Sequence, residues 1–230
     1  MNDADRFDVG TVPAACVRFV VSVDLGNNND STAITVLEVT EAVTNFYQRG
    51  CSGPAVKRVV DLTYLVAMMH RPALGVGYPR ILDQVEAIMA DLPAAPKLPI
   101  LVFDATGLGA PVVQQARTRG MKAVGLTITS GATPSFSGMN WTVPKELLVG
   151  DLRLAMHNRI IKVANFPARE RLEAELHSFT ARLSPSGRAT FAAAGAEHDD
   201  TVLSLSMAVV AAKRAPQPTR TVKFSITAGI

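Results

Sequence analysis

The feature that most constrains the fold is a pair of runs rich in β-branched residues, joined by a polar turn. The runs are VRFVVSVDLG (residues 17–26) and STAITVLEV (residues 31–39), with NNND between them. Such runs around a short polar turn predict a hairpin of two antiparallel strands. The first run carries an acid, Asp24, inside an otherwise apolar strand, and a carboxylate at such a position requires an explanation.

Strand and helix patterns then alternate along the chain. KRVVDLTYLV (residues 57–66) predicts a third strand, and YPRILDQVEAIMADL (residues 78–92) has the apolar spacing of a helix. ILVFD (residues 100–104) is almost wholly apolar, which is typical of a strand buried on both faces. The segment at residues 134–142, PSFSGMNWT, is predicted to be a loop. The whole pattern predicts an α/β fold with a central mixed sheet of five or more strands, including an antiparallel hairpin, flanked by helices.

Length and composition fit one large domain with a sizeable core, since the chain has 230 residues and 48% are hydrophobic. We expect a flexible leader at residues 1–15, the folded domain at 16–212 and a basic tail at 213–230. No uncharged apolar run reaches about 18 residues, and the first residues do not resemble a signal peptide. These features predict no membrane association and a cytoplasmic location. The two cysteines, Cys16 and Cys51, have no metal-ligand spacing and are expected to be reduced thiols.

Acidic residues occupy three unexpected places: Asp24 inside a strand, Asp104 at the end of ILVFD, and the pair Asp199–Asp200 at the start of the last helix. Each has an ordinary explanation alone, as a water-facing strand residue, a strand-end acid or a helix cap. Together they indicate one site, because a first and a fourth strand are commonly neighbours in such a sheet and Asp24 can then meet Asp104. Clustered carboxylates repel one another unless a cation neutralises them, and Mg²⁺ or Mn²⁺ prefers such oxygen ligands.

At these same residues the sequence resembles a known family. VSVDLG with DSTAITV, ILVFDATGLGAPVVQQ, VPKELLVGDLRLAMHNRIIKV and GRATFAAAGAEHDDTVLSLSMAV are similar to motifs of the C-terminal nuclease domain of phage terminase large subunits. The resemblance covers residues 17 to 212. It implies an RNase H-like fold and an endonuclease that cuts concatemeric viral DNA during packaging. It also implies two metal ions, Mg²⁺ or Mn²⁺, and double-stranded DNA as the partner.

The resemblance also implies site residues. Asp24 is the expected first-strand ligand, bridging both ions, and Asp104 the second ligand. From HDD the expected ligand is Asp200, Asp199 or both, and the sequence does not separate them because helix neighbours point about 100° apart.

Several basic residues are weaker candidates for supporting roles. Lys145, at the start of a helix, could reach a phosphate, although a surface lysine is the ordinary interpretation. His198 could bond a carboxylate or the scissile phosphate, or simply cap the helix. Arg182 and Arg188 flank a predicted hairpin that could lie along the DNA backbone, or could keep that hairpin soluble. The net charge of +3 permits DNA binding without arguing for it.

One feature of complete terminase large subunits is missing. No phosphate-binding segment of the G-x-x-x-x-G-K-[ST] type occurs in these 230 residues. ATP-driven translocation is therefore not assigned to this chain, which we expect to be an excised domain, a split-gene product or a stand-alone relative. Its partner could be a separate ATPase subunit of the packaging motor, or the portal.

Other functions also fit parts of the sequence. A phosphotransferase of the actin and sugar-kinase type would use DLG and DATGLG as phosphate loops, but HDD would then have no function. A dinucleotide-binding interpretation of VFDATGLGAPVV is weak, because Val112 occupies the third glycine position. A non-catalytic DNA-binding relative is disfavoured because every acidic position is filled.

Overall fold

The computed structural model describes residues 6–26, 31–50, 53–183, 189–193 and 200–214. Within these ranges the chain forms ten strands and five helices. The strands are β1 (Arg6–Asp24), β2 (Ala33–Gly50), β3 (Gly53–His70), β4 (Ile100–Asp104), β5 (Ala123–Thr129), β6 (Ser135–Ser137), β7 (Asn140–Pro144), β8 (Ile161–Val163), β9 (Phe179–Leu183) and β10 (Ala189–Ala193). The helices are α1 (Tyr78–Ala90), α2 (Gly109–Thr118), α3 (Lys145–His157), α4 (Arg169–Ser178) and α5 (Asp200–Arg214).

Eight strands form one mixed sheet in the order β6-β7-β5-β4-β1-β2-β3-β8. Strands β1, β2 and β3 pair antiparallel, whereas β4 lies parallel to β1, β5 to β4 and β7 to β5. The predicted α/β class, the hairpin and the mixed sheet of five or more strands are confirmed. Strands β9 and β10 form a separate two-stranded sheet.

Two expectations about chain segments were wrong. Residues 6–15, predicted to belong to a flexible leader, continue β1, where Arg6 to Ala15 pair with residues 41–48 of β2. The predicted loop at residues 134–142 contains β6 and most of β7, because β7 adds to the free edge of β5 and β6 folds back on β7. The partner strands of residues 6–15 and of β7 lie outside these segments, so local composition did not reveal the pairing.

The sheet has helices on both faces. Phe19, Val21 and Val23 of β1 face a cluster containing buried residues of α1 and α2. The alternate residue Val20 belongs to the opposite cluster, which contains buried residues of α3, α4 and α5. Helix α5 is buried along most of its length, which fits its apolar sequence. None of the helices in the described part of the chain is long and apolar enough to cross a membrane.

Candidate functional site

Asp24 and Asp104 end two neighbouring parallel strands at the centre of the sheet. Strands β1 and β4 pair from Val20 with Ile100 to Val23 with Phe103, so each acid follows directly after the last of these pairs. Side chains alternate between the faces of a strand. Both acids therefore lie on the face of Val20 and Val102, which is the face covered by α5. The juxtaposition predicted from the sequence is present.

The two carboxyl groups interact with each other. Burial raises the pKa of Asp104 above its ordinary value. Three other effects lower this pKa: hydrogen bonds from the Thr106 side chain and backbone, a hydrogen bond with Asp24, and the charge of Lys145. The Thr106 amide donates to Asp104 Oδ1 over 2.8 Å. Two carboxyl groups can hydrogen-bond only if they share a proton, and a bound cation would neutralise the pair in its place.

The connection after Asp104 is set by close backbone packing. Gly107 has a φ of +56°, a conformation that favours glycine. Gly109 opens α2, and a Cβ added there would come within 2.1 Å of the Asp104 carbonyl oxygen. The glycines of DATGLG are thus explained by a tight strand-to-helix connection, without a phosphate loop.

Lys145 lies at the same edge of the sheet. It opens α3 directly after β7, whose last residue pairs with Thr129 at the end of β5. Because β4, β5 and β7 are parallel, their carboxyl ends share one edge. This position explains the electrostatic effect of Lys145 on Asp104.

Asp200 reaches this edge on α5. One turn further along the helix, Ser204 contacts Ser22, two residues before Asp24. Asp200 Oδ2 accepts a hydrogen bond from Arg71 Nη2 over 3.2 Å, and Arg71 directly follows β3 at that edge. The side chain of Asp200 is therefore bound by an arginine at this edge of the sheet.

The described residues supply only part of the predicted ligand set. Within the described ranges no group of three or more His, Cys, Asp or Glu residues is placed to hold a metal ion. Asp199, His198 and Arg188 lie outside those ranges, and Arg182 is placed in β9 without a described side chain. Their predicted roles stay predictions.

Sequence reasoning missed two charged residues beside the site, Arg71 and Glu175. Glu175 lies in α4 and hydrogen-bonds the start of α5, and Arg71 lies 3.6 Å from it. Neither has a sequence signal, because an arginine after a strand and a glutamate on an amphipathic helix are usually solvated. A signal did exist for Ser22, a polar residue within the apolar run VVSV.

The fold is similar to solved phage nucleases. The large terminase nuclease from thermophilic phage G20c matches with a TM-score of 0.55 at 20% identity, over 91% of this chain and 90% of that chain. Its structure with bound magnesium gives 0.56 at 20% identity, over 91% and 89%. The large terminase nuclease domain of Thermus phage P74-26 gives 0.56 at 20% identity, over 90% and 86%.

The other comparisons found nothing: no family model and no curated protein matches the chain. At 20% identity the structural likeness shows the fold. The resemblance to large terminase nucleases predicted from the sequence is confirmed at the level of the fold.

Proposed function

We propose that this chain is a divalent-metal-dependent endonuclease that hydrolyses phosphodiester bonds in double-stranded DNA. The observation that carries the proposal is the Asp24–Asp104 pair, two interacting carboxyl groups at the ends of adjacent central strands. Asp24 is only 7% exposed. Two desolvated acids facing each other destabilise a fold, and such arrangements are concentrated at functional sites. The likeness to large terminase nucleases supports the same activity.

The residues present fit a divalent metal. Asp24 and Asp104 offer hard oxygen ligands and carry the negative charge that a cation would neutralise. We propose that Asp199, Asp200 or both complete the ligand set for two ions, Mg²⁺ or Mn²⁺. The magnesium-bound nuclease neighbour supports a divalent cation. Such ions would supply Lewis acidity, which lowers the pKa of bound water and neutralises developing charge on the phosphodiester.

The chain's own residues would bind and orient the DNA backbone. Lys145, at the same edge as Asp104, would pair with a phosphate oxygen, and His198 would bond the scissile phosphate or a ligand carboxylate. Arg182 and Arg188 would contact the backbone through the hairpin of β9 and β10. Phosphate contacts carry no base information, so cutting would be largely independent of sequence and sensitive to salt.

The biological role that we infer is the cutting of concatemeric viral DNA during genome packaging, in the cytoplasm of the host cell. The neighbours that support it are nucleases of large terminases. The partner would be a separate ATPase subunit of the packaging motor or the portal.

The test is cleavage of supercoiled plasmid by the purified chain with Mg²⁺ or Mn²⁺, against EDTA. We expect metal-dependent nicking and linearisation, reduced by at least about 100-fold in Asp104→Asn, which keeps the side-chain shape but loses the charge. Asp91→Asn is the matched control, because Asp91 is an exposed acid at the end of α1, and it should cut normally. Folded wild-type protein that cuts with neither metal would refute the proposal, and ATP binding by that protein would then favour the phosphotransferase alternative.

A further inference from the structure

Two charged residues from elsewhere in the chain hold the first turn of α5. Glu175 Oε2 accepts a hydrogen bond from the Thr201 amide over 3.2 Å and a second from the Thr201 hydroxyl. Arg71 joins the two acids, since Nη1 lies 3.6 Å from Glu175 Oε1 and Nη2 lies 3.2 Å from Asp200 Oδ2. A glutamate of α4 thus caps α5, and an arginine after β3 bridges the cap to Asp200.

This cluster is buried, which is costly unless its charges are matched. Glu175 is 5% exposed and Asp200 8%. Arg171, four residues before Glu175, donates from Nε to Glu175 Oε1 over 2.9 Å. The Arg71 side chain is 12% exposed and the Arg171 side chain 51%, so Arg71 is the buried cation that faces the two carboxylates. Removing one member of this buried set leaves a charge uncompensated.

The cluster supplies a hydrogen-bond acceptor for a backbone amide in the first turn of α5. The first amides of a helix lack partners within it. Here the acceptor for the Thr201 amide comes from another helix, so the cap fixes α5 relative to α4 as well as satisfying the amide. Arg71 adds a second link, from α5 to the end of β3.

The position of the cluster gives it a functional consequence. Asp200 lies on the same face and edge of the sheet as Asp24 and Asp104. Any movement of the first turn of α5 would change the distance from its acidic residues to that pair. Residues that orient metal ligands commonly affect metal affinity even though they do not touch the metal.

We propose that Glu175 and Arg71 are positioning residues of the candidate site: they fix the first turn of α5, and with it Asp200, at the edge of the sheet where Asp24 and Asp104 lie. The proposal rests on the nuclease function proposed above. It predicts that weakening the cluster loosens this turn and raises the metal concentration that cleavage requires, without changing the affinity for DNA.

The test compares Glu175→Gln with Glu173→Gln. Both glutamates lie on α4 and pair with an exposed arginine four residues earlier, but the Glu173 side chain is 45% exposed and the Glu175 side chain 6%. In Glu175→Gln we expect the amide hydrogens of the first turn of α5 to exchange with deuterium about tenfold faster than in the wild type. We also expect its half-saturating Mn²⁺ concentration for plasmid nicking to rise about tenfold, with KM for DNA unchanged. Glu173→Gln should match wild type in all three measurements.

A second variant keeps the test decisive if Glu175→Gln does not fold. Arg71→Lys retains the positive charge but cannot bridge Glu175 and Asp200 with two nitrogens, and we expect the same changes at smaller size. Faster exchange with an unchanged Mn²⁺ requirement, or unchanged exchange, would overturn the positioning role while wild-type cleavage still stood. Absence of cleavage by the wild type would instead refute the proposed function, and the positioning role with it.

Discussion

Replacing Ser204 by alanine tests how α5 is held on the sheet. The Ser204 hydroxyl lies 2.9 Å from Thr35 Oγ1 and 3.2 Å from Ser22 Oγ, and it can donate to the Ser22 carbonyl oxygen over 3.2 Å. Ser22 also donates to the Ser204 carbonyl oxygen over 2.7 Å. All three side chains are fully buried. The network ties the helix to β1, which ends at Asp24, and to its neighbour β2.

The expected loss of stability follows from the partners that remain. Alanine at 204 leaves the buried Thr35 hydroxyl without this hydrogen bond, and a buried polar group left unsatisfied costs about 1–3 kcal/mol. Ser22 retains its hydrogen bond to the carbonyl oxygen of residue 204, so the loss of stability should be close to that of one unsatisfied polar group. We therefore expect a loss of about 2 kcal/mol in the free energy of unfolding, equivalent to roughly 4–8 °C in Tm for a domain of this size.

Ser206→Ala is the matched control on the same helix. Ser206 is equally buried, but its hydroxyl donates to the Val202 carbonyl oxygen within α5 over 2.7 Å. Losing that bond is offset by the higher helix propensity of alanine, so the net change should lie within about 0.5 kcal/mol. Urea unfolding followed by circular dichroism measures both variants. If Ser204→Ala were no less stable than Ser206→Ala, the hydroxyl network would not anchor the helix.

Two further predictions concern the connection after β4 and the alkaline stability of the protein. Gly109→Ala should lose at least about 2 kcal/mol in the free energy of unfolding and impair plasmid cleavage, because its Cβ would meet the Asp104 carbonyl oxygen. Gly150→Ala, which has open space around it in α3, should instead gain about 0.5–1 kcal/mol. Equal urea midpoints for the two variants would contradict this. Burial, with the charge of Asp151, raises the pKa of Tyr64 to about 12 from 10.0. The stabilisation from this shift is fully present below about pH 10 and is lost as the pH rises through the folded value. Between about pH 9 and pH 11 the wild type should therefore lose about 1 kcal/mol more stability than Tyr64→Phe, and parallel urea-midpoint profiles would refute the shift.

The sequence by itself determined the fold class and the central acidic pair. Apolar runs of strand and helix period reveal the order of elements, because burial imposes those periods on each segment separately. Asp24 and Asp104 were recognisable because a carboxylate in or at the end of an apolar strand departs from its surroundings. Their meeting followed from β1 and β4 being neighbours, which the structure bears out.

The tertiary structure alone decided which distant residues share the edge of the sheet. The extension of β1 through residues 6–15 and the pairing of β7 with β5 depend on ladder partners outside each segment, which its own pattern does not identify. The link from Arg71 to Glu175 and Asp200 spans more than 100 residues of sequence. From the sequence, an ionised side chain is expected to be solvated. Only the packing of distant segments shows that these side chains are buried, and a buried charge depends on its particular partner.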